Sequence, residues 1–156
     1  MRDEDFMRIA LDKAAAGVAE GQSPFGACIV NGGKVVSCEH NAVWAEMDIT
    51  AHAEIRAIRA ACKALGTIDL SGCVIYSTTE PCPMCFSACH WARLDTIVYG
   101  AAIADARATG FHELTVSDAD LKRLGGSSIA IRGGILREEN IRLLREWADT
   151  MGSKAY

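Results

Sequence analysis

Thr50-Ala51-His52-Ala53-Glu54-Ile55 and Glu80-Pro81-Cys82-Pro83-Met84-Cys85 stand at the same point in the patterns around them: each closes a loop and opens a helix. Before the second stretch, Cys73 to Thr78 is a β-branched and aromatic run that reads as a strand. Pro81 turns the chain, and Pro83 suits the first position of a helix reaching about Ala92. Before the first stretch lies a polar loop from His40 to Asp48, with Thr50 as a candidate cap. The helix it opens runs from about His52 to Leu65, rich in Ala, Ile, Arg and Glu, and stops at Gly66.

Outward from these stretches, the alternation continues. Phe6, Ile9, Ala10, Lys13 and Ala14 have helical spacing up to Ala19, and Gly21-Gln22-Ser23-Pro24 breaks it. Ala27 to Val30, Asn31-Gly32-Gly33, and Lys34 to Cys38 read as a hairpin with a glycine turn. Thr96 to Tyr99 and Ile129 to Ile131 are a fourth and a fifth strand. Asp118 to Leu124 is a short helix, and Ile141, Leu144 and Ala148 mark a terminal helix over Arg137 to Met151. Residues 103–117 follow no period, and their place after the fourth strand suits a lid. Strands alternating with helices predict one α/β domain over residues 1–156, with its sheet between helices.

Composition narrows the function classes. The chain has 156 residues, 50% of them hydrophobic and 23% charged, which suits one globular domain and argues against long disorder. No apolar run reaches the ~18–20 residues of a membrane span. Asp3, Glu4 and Asp5 precede the first apolar pattern, unlike the basic start of a signal peptide, so a cytoplasmic location is expected. The net charge of -4, with seven Lys/Arg and six Asp/Glu after residue 117, lacks the basic stripe of a nucleic-acid binder. Seven cysteines without a secretory leader make a poor disulfide framework. Cys28, Cys38, Cys62 and Cys73 read as small buried hydrophobes.

Cys82 and Cys85 need another explanation. Zinc takes thiolate sulfur and imidazole nitrogen, and a three-residue spacing at a helix start sets both sulfurs near one end of one face. Free N–H groups and the dipole at a helix N-terminus favour thiolates. His52 begins another helix, so two helix starts can meet at one metal. Three protein ligands leave a fourth position for water, the arrangement of catalytic rather than structural zinc. Glu54, two residues from His52, can reach the same site from the first turn and handle a proton of the zinc-acidified water. A C-x-x-C alone also fits a redox pair or half of a structural zinc site. The first does not need His52 and Glu54, and the second needs a fourth ligand. Cys89 and His90 are the candidates for that ligand, and Cys89 reads better as core.

His52-Ala53-Glu54 with Pro81-Cys82-Pro83-Met84-Cys85 resembles the H-x-E…P-C-x-x-C pattern of the cytidine-deaminase-like zinc deaminases. The likeness runs from about Phe6 to Phe111. It is closest to bacterial guanine deaminases and next to tRNA adenosine deaminases. The resemblance implies a three-layer α/β/α domain on a central, mostly five-stranded mixed sheet. It assigns one Zn²⁺ per subunit to His52, Cys82 and Cys85, with water or hydroxide as fourth ligand, and the proton shuttle to Glu54. It also implies a homodimer, with the helix over Arg137 to Met151 at the interface or exchanged between subunits.

Several residues resemble the guanine deaminases in particular. Phe25, in Pro24-Phe25-Gly26-Ala27, falls on the Phe that packs on the purine. Asn41 falls on the Asn that hydrogen-bonds the base, and Trp91 on an aromatic of the pocket. Glu113, in Gly110-Phe111-His112-Glu113, falls on a second catalytic carboxylate. The Ala53 N–H is a further contact to the base or its tetrahedral intermediate. The ending Lys154-Ala155-Tyr156 resembles that of bacterial guanine deaminase, whose C-terminal segment can swap between subunits and place a terminal Tyr over the partner's site. The implied reaction is hydrolysis of guanine to xanthine and ammonia by hydroxide on zinc, with Glu54 and Glu113 moving protons.

Each pocket residue has an ordinary alternative: Phe25 as core, Asn41 as a turn former, Trp91 as core or dimer contact, Glu113 as a solvated acid. His40 and His112 read as satisfied or surface histidines. Asp48-Ile49-Thr50 departs from the Asp-Pro-Thr usual in guanine deaminases, and Gly134 to Glu139 looks more like the adenosine-deaminase tail. Guanosine, an amino-triazine, tRNA adenosine and cytosine are the alternative substrates. A zinc-binding partner subunit without activity is the alternative outside enzymes.

Overall fold

The computed structural model describes residues 1–156. The chain runs α1 (Asp3–Ala19), β1 (Gly26–Asn31), β2 (Lys34–His40), α2 (Val43–Glu46), α3 (Ala53–Leu65), β3 (Cys73–Thr79), α4 (Pro83–Trp91), β4 (Thr96–Ala101), α5 (Ile103–Ala108), α6 (Asp118–Gly125), β5 (Ala130–Arg132) and α7 (Arg137–Met151). A 3-10 turn over Gly152–Lys154 ends the chain.

The five strands form one sheet in the order β2-β1-β3-β4-β5. β1 pairs antiparallel with β2 and β3, whereas β3, β4 and β5 run parallel. Parallel pairs require crossovers, and α4 supplies the one between β3 and β4. The sheet is mixed and lies between helices, as the sequence reading expects. On one face Ala27, Ile29, Ile75 and Ile97 pack against Ala53, Ala57 and Ala61 of α3 and Phe86 and Cys89 of α4. On the other, Cys28, Val30, Tyr76 and Val98 pack against Phe6, Met7 and Ala10 of α1. Alternate strand residues therefore feed two cores, the consequence of a two-residue side-chain period.

The differences from the sequence reading are local. His52, not Thr50, is the N-cap residue of α3. Thr50 instead directs its N–H and hydroxyl to Asp48 Oδ1, at 2.8 and 2.7 Å, in a side-chain turn. The polar loop contains the four-residue α2, too short to show a period. Residues 103–117 divide into α5 and a loop over 109–117.

The terminal helix packs on the edge of the sheet. Ile141 and Leu144 of α7 cover Ala101 of β4. Trp147, buried, donates from Nε1 to the carbonyl of Gln22 at 3.2 Å. The short return from β5 leaves α7 within reach of the sheet.

Candidate active site

Both quoted stretches end as helix starts on one side of the sheet. His52 and Cys82 are the extended N-cap residues of α3 and α4, and Cys85 is the third residue of α4. His52 Nδ1 lies 3.7 Å from Cys82 Sγ and 3.5 Å from Cys85 Sγ. One ligand atom from each of the three lies within 4.8 Å of the others. A tetrahedral zinc, with bonds of about 2.3 Å to sulfur and about 2.0–2.1 Å to nitrogen, separates those atoms by about 3.6 Å. The three side chains fit that ion.

The electrostatics of the three groups agree. A hydrogen bond from the Cys85 thiol, helped by His52 and opposed by burial, pulls Cys82 down to about 4. Cys85, whose thiol is the donor of that bond and is buried, is pushed well up. Burial pulls His52 down, yet the Cys82 sulfur and the Glu54 and Glu113 carboxylates outweigh it and leave it raised. One thiolate among such partners is stable without a metal; a divalent cation would deprotonate both.

Glu54 occupies the first turn of α3 and is almost fully buried, and burial raises its pKa. Its Oε1 is 3.1 Å from the Ser77 hydroxyl, which also donates to the Thr79 carbonyl at 2.7 Å. One hydroxyl proton serves one acceptor at a time. Burial favours the acid form of Glu54, and the bond donated by Ser77 opposes it by favouring the carboxylate.

These groups line a cavity of about 300 Å³. Phe25, Asn41, His52, Glu54, Cys82, Glu113 and Tyr156 all face it. Asn41 is fully buried, with Oδ1 accepting from Val43 N–H at 3.1 Å and Nδ2 donating to the Tyr156 hydroxyl at 2.7 Å. Tyr156 packs edge-on to Phe111 at 5.5 Å between ring centres, and its carbonyl accepts from His112 N–H at 2.9 Å. Trp44 Nε1 donates to the Lys154 carbonyl at 3.1 Å, a further tie on the tail. Glu113 is pushed up to about 7, by burial first and then by Cys82 and Glu54.

Two candidates stand apart from the cavity. Cys85 is fully buried, with its sulfur 3.5 Å from His52 Nδ1. Ala53 is equally buried, but its N–H occupies the first position of α3, where no intrahelical acceptor exists.

Trp91 is a correction. It is 82% exposed at the far end of α4, beside Ile68, Arg93 and Asp95, and does not line the cavity. Six helical residues beyond Cys85 put it about 9 Å along the axis and about 240° around it.

Other residues at the site had escaped the sequence reading. Phe111 stands between Phe25 and Trp147, at 4.8 and 4.9 Å between ring centres. Ser77 holds Glu54. Glu80 accepts from Ile103 N–H at 3.1 Å and Asp118 N–H at 2.9 Å, pinning the starts of α5 and α6. Gly110-Phe111 carried a usable signal for Phe111; nothing local marked Ser77.

Comparison with known proteins agrees with this geometry. Residues 1–101 match the family described as the cytidine and deoxycytidylate deaminase zinc-binding region. The chain is 44% identical over 114 residues to a guanine deaminase of Bacillus subtilis, covering 72% of this chain and 73% of that protein. It is 42% identical over 101 residues to a tRNA-specific adenosine deaminase of Aquifex aeolicus, covering 65% and 67%. A solved guanine deaminase from Nitrosomonas europaea superposes with a TM-score of 0.87 at 31% identity, over 94% of this chain and 84% of that one. With its His and two Cys gathered beside a buried Glu, the chain belongs to the cytidine and deoxycytidylate deaminase zinc-binding family and is a zinc-dependent deaminase.

Proposed function

We propose that this deaminase hydrolyses the amino group of a free purine base, turning guanine into xanthine and ammonia. The observation that carries the reading is the meeting of two carboxyl groups, Glu54 and Glu113, with Asn41 in one aromatic-walled cavity beside the His/Cys/Cys cluster. The similarity to guanine deaminases supports the same substrate.

His52, Cys82 and Cys85 hold one zinc ion per subunit. When bound, it would supply an acidified water as the nucleophile. The other residues orient the base and move protons. Phe25 and Phe111 form apolar walls for a flat ring. Asn41 offers its amide to the edge of the base, exchanging its bond to Tyr156 for one to the substrate. Glu54 takes a proton from the attacking water and returns it to a ring nitrogen. Glu113, in its acid form near neutral pH, gives a proton to the leaving amine while Glu54, emptied by the ring nitrogen, takes the proton of the added hydroxyl; the C–N bond breaks, the carbonyl forms, ammonia departs, and return of that proton to Glu113 restores both groups. The Ala53 N–H is a contact for the developing charge, and Tyr156 closes the cavity over the bound base.

The active form is a homodimer, and Trp91 is a contact between its copies. Exposed Trp91 and Ile68 border one cleft and leave apolar surface for such a partner. Sedimentation of wild type and Trp91→Glu tests this; a dimer unaffected by the substitution moves the interface elsewhere.

A second reading, deamination of adenosine in tRNA, is favoured by the Aquifex relative and by a solved tRNA:A34 deaminase. The latter superposes with a TM-score of 0.78 at 32% identity, over 89% of this chain and 98% of that one. Ammonia release from the zinc-loaded protein with guanine, guanosine, an amino-triazine, adenine, cytosine and a tRNA anticodon stem-loop separates the readings. Release from guanine alone is expected. Release from guanosine keeps the chemistry and requires room for ribose. Release from the stem-loop alone replaces the first reading by the second.

A further inference from the structure

Arg56 lies one turn after His52 on α3, outside the cavity, and is only about a quarter exposed. Its Nη1 donates to the His40 carbonyl at 2.6 Å and pairs with Glu39 at 3.1 Å. Its Nε pairs with Glu46 at 3.3 Å. Glu39 and His40 close β2 immediately before Asn41, and Glu46 closes α2 shortly after it. One guanidinium therefore holds both flanks of the Asn41 segment to the helix that begins at His52. It acts beside two other ties, the Ala42 N–H to the Ala51 carbonyl at 3.0 Å and the Ser37 hydroxyl of β2 to the Ala57 carbonyl at 2.8 Å, and is the side chain of α3 that reaches both flanks.

The anchoring is chemically specific. The planar fork meets a carbonyl and two carboxylates at once, which the point charge of a lysine cannot reproduce. Each ion pair at such exposure contributes little by itself. Their common effect is positional. The buried Asn41 has its remaining bonds to Phe25 O, Val43 N and Tyr156, none of which reaches α3. His40 faces Glu20 at 3.4 Å and turns Nδ1 to the Asn41 carbonyl at 2.8 Å, a link towards α1 and not to the metal helix.

We infer that Arg56 is a positioning residue that sets the distance between the base-recognising Asn41 and the metal-binding end of α3. This rests on the assignment of Asn41 to the substrate made above. A misplacement of Asn41 weakens binding of the base without touching Glu54, Cys82 or Cys85. Loss of Arg56 therefore acts on KM and leaves kcat nearly as it is.

The test is a double-mutant cycle on the zinc-loaded enzyme, with the purine it turns over as substrate. Arg56→Met is expected to raise KM about tenfold, with kcat within about twofold of wild type and zinc content unchanged. Arg56→Lys is expected to fall between the two. In an Asn41→Ala background, Arg56→Met is expected to shift KM less than about twofold, because the group it positions is gone. Glu46→Gln removes one arm of the clamp on the surface and is expected to raise KM about threefold, which covers the case of an unfolded Arg56→Met. An equal KM effect of Arg56→Met in both backgrounds overturns the inference. So does a loss of kcat and zinc at constant KM. If Asn41→Ala raises KM and Arg56→Met does not, the inference fails alone. If Asn41→Ala leaves KM unchanged, the substrate assignment of Asn41 fails, and Arg56 has nothing to act through.

Discussion

At the scale of single residues, the acids divide by their surroundings. Glu54 faces the cavity from a helix start, where burial raises its pKa and the Ser77 hydroxyl donates to its carboxylate. Glu54→Ala is expected to keep zinc and lose about 10²–10⁴-fold in deamination rate, read by metal analysis beside ammonia release. Glu113 lies on a loop, and its raised pKa suits a donor near neutrality. Glu113→Gln is expected to lower kcat about 10²-fold with an unaltered circular-dichroism spectrum. Wild-type turnover would make it a bystander.

Asp118 is different: fully buried, with neither carboxylate oxygen hydrogen-bonded. Burial first, then Glu80 and Glu54, push it up to about 9. Its folded pKa exceeds the unfolded value of 3.8, so the folded state holds the extra proton between them. That contribution is complete below pH 4 and is lost as pH rises towards 9. Asp118→Asn carries no charge in either state. It is therefore expected to match wild type near pH 4 and to be the more stable protein near pH 8, by denaturant midpoint.

At the scale of elements, the site depends on how helix starts and loops are held. α3 and α4 present their first turns to one place because both leave the same side of the sheet. The loop over 109–117 has no regular structure, and its Phe111 is held by Trp147 of α7 on one side and Phe25 on the other. Trp147→Ala is expected to cost about 3–5 kcal/mol in stability and to raise KM by loosening the wall that carries Phe111. Unchanged KM in the folded variant would uncouple α7 from the site. Gly26, where β1 begins beside Phe25, needs its lack of a side chain for another reason. A Cβ there would collide with the Ala10 carbonyl and the Ala14 amide of α1.

At the scale of the whole molecule, two cores on opposite faces of the sheet are built without His52, Cys82 or Cys85. Stripping zinc with a chelator is expected to abolish deamination and lower Tm while preserving helix and strand content. Readdition of zinc restores both. The loss in Tm follows from ligand linkage, because an ion bound only by the folded state stabilises it. Collapse of the circular-dichroism spectrum on chelation would instead make the ion part of the core. Tyr156 and the tail lie along the cavity, at the opposite end of the sequence from Phe25. No helix is long and apolar enough to cross a membrane.

Much of this was legible in the chain itself. Two-residue and helical periods are local, so the strands, α1, α3, α4 and α7 could be read from them. The bounds of α7 agree to the residue. His52, Glu54, Cys82 and Cys85 were legible because metal chemistry restricts residue type and short spacing. Asn41, Glu113, Phe25 and Tyr156 came from resemblance, and the fold brings them to one cavity. Trp91 did not follow, because helical rotation carries it away from the cysteines. α2 was invisible because one turn has no period, and Thr50 gave way to His52 as the cap because Asp48 captured both its donors.

What the sequence alone determined is the set of groups whose chemistry is short-range: ligands, shuttle, and the elements that carry them. Tertiary structure alone decided the long-range pairings: Tyr156 against Asn41, Trp147 beneath Phe111, Ser77 beside Glu54, and Arg56 astride the Asn41 segment. These contacts join residues from separate elements, some more than a hundred positions apart. No local period or spacing records which of them meet when the sheet and its two helical layers pack.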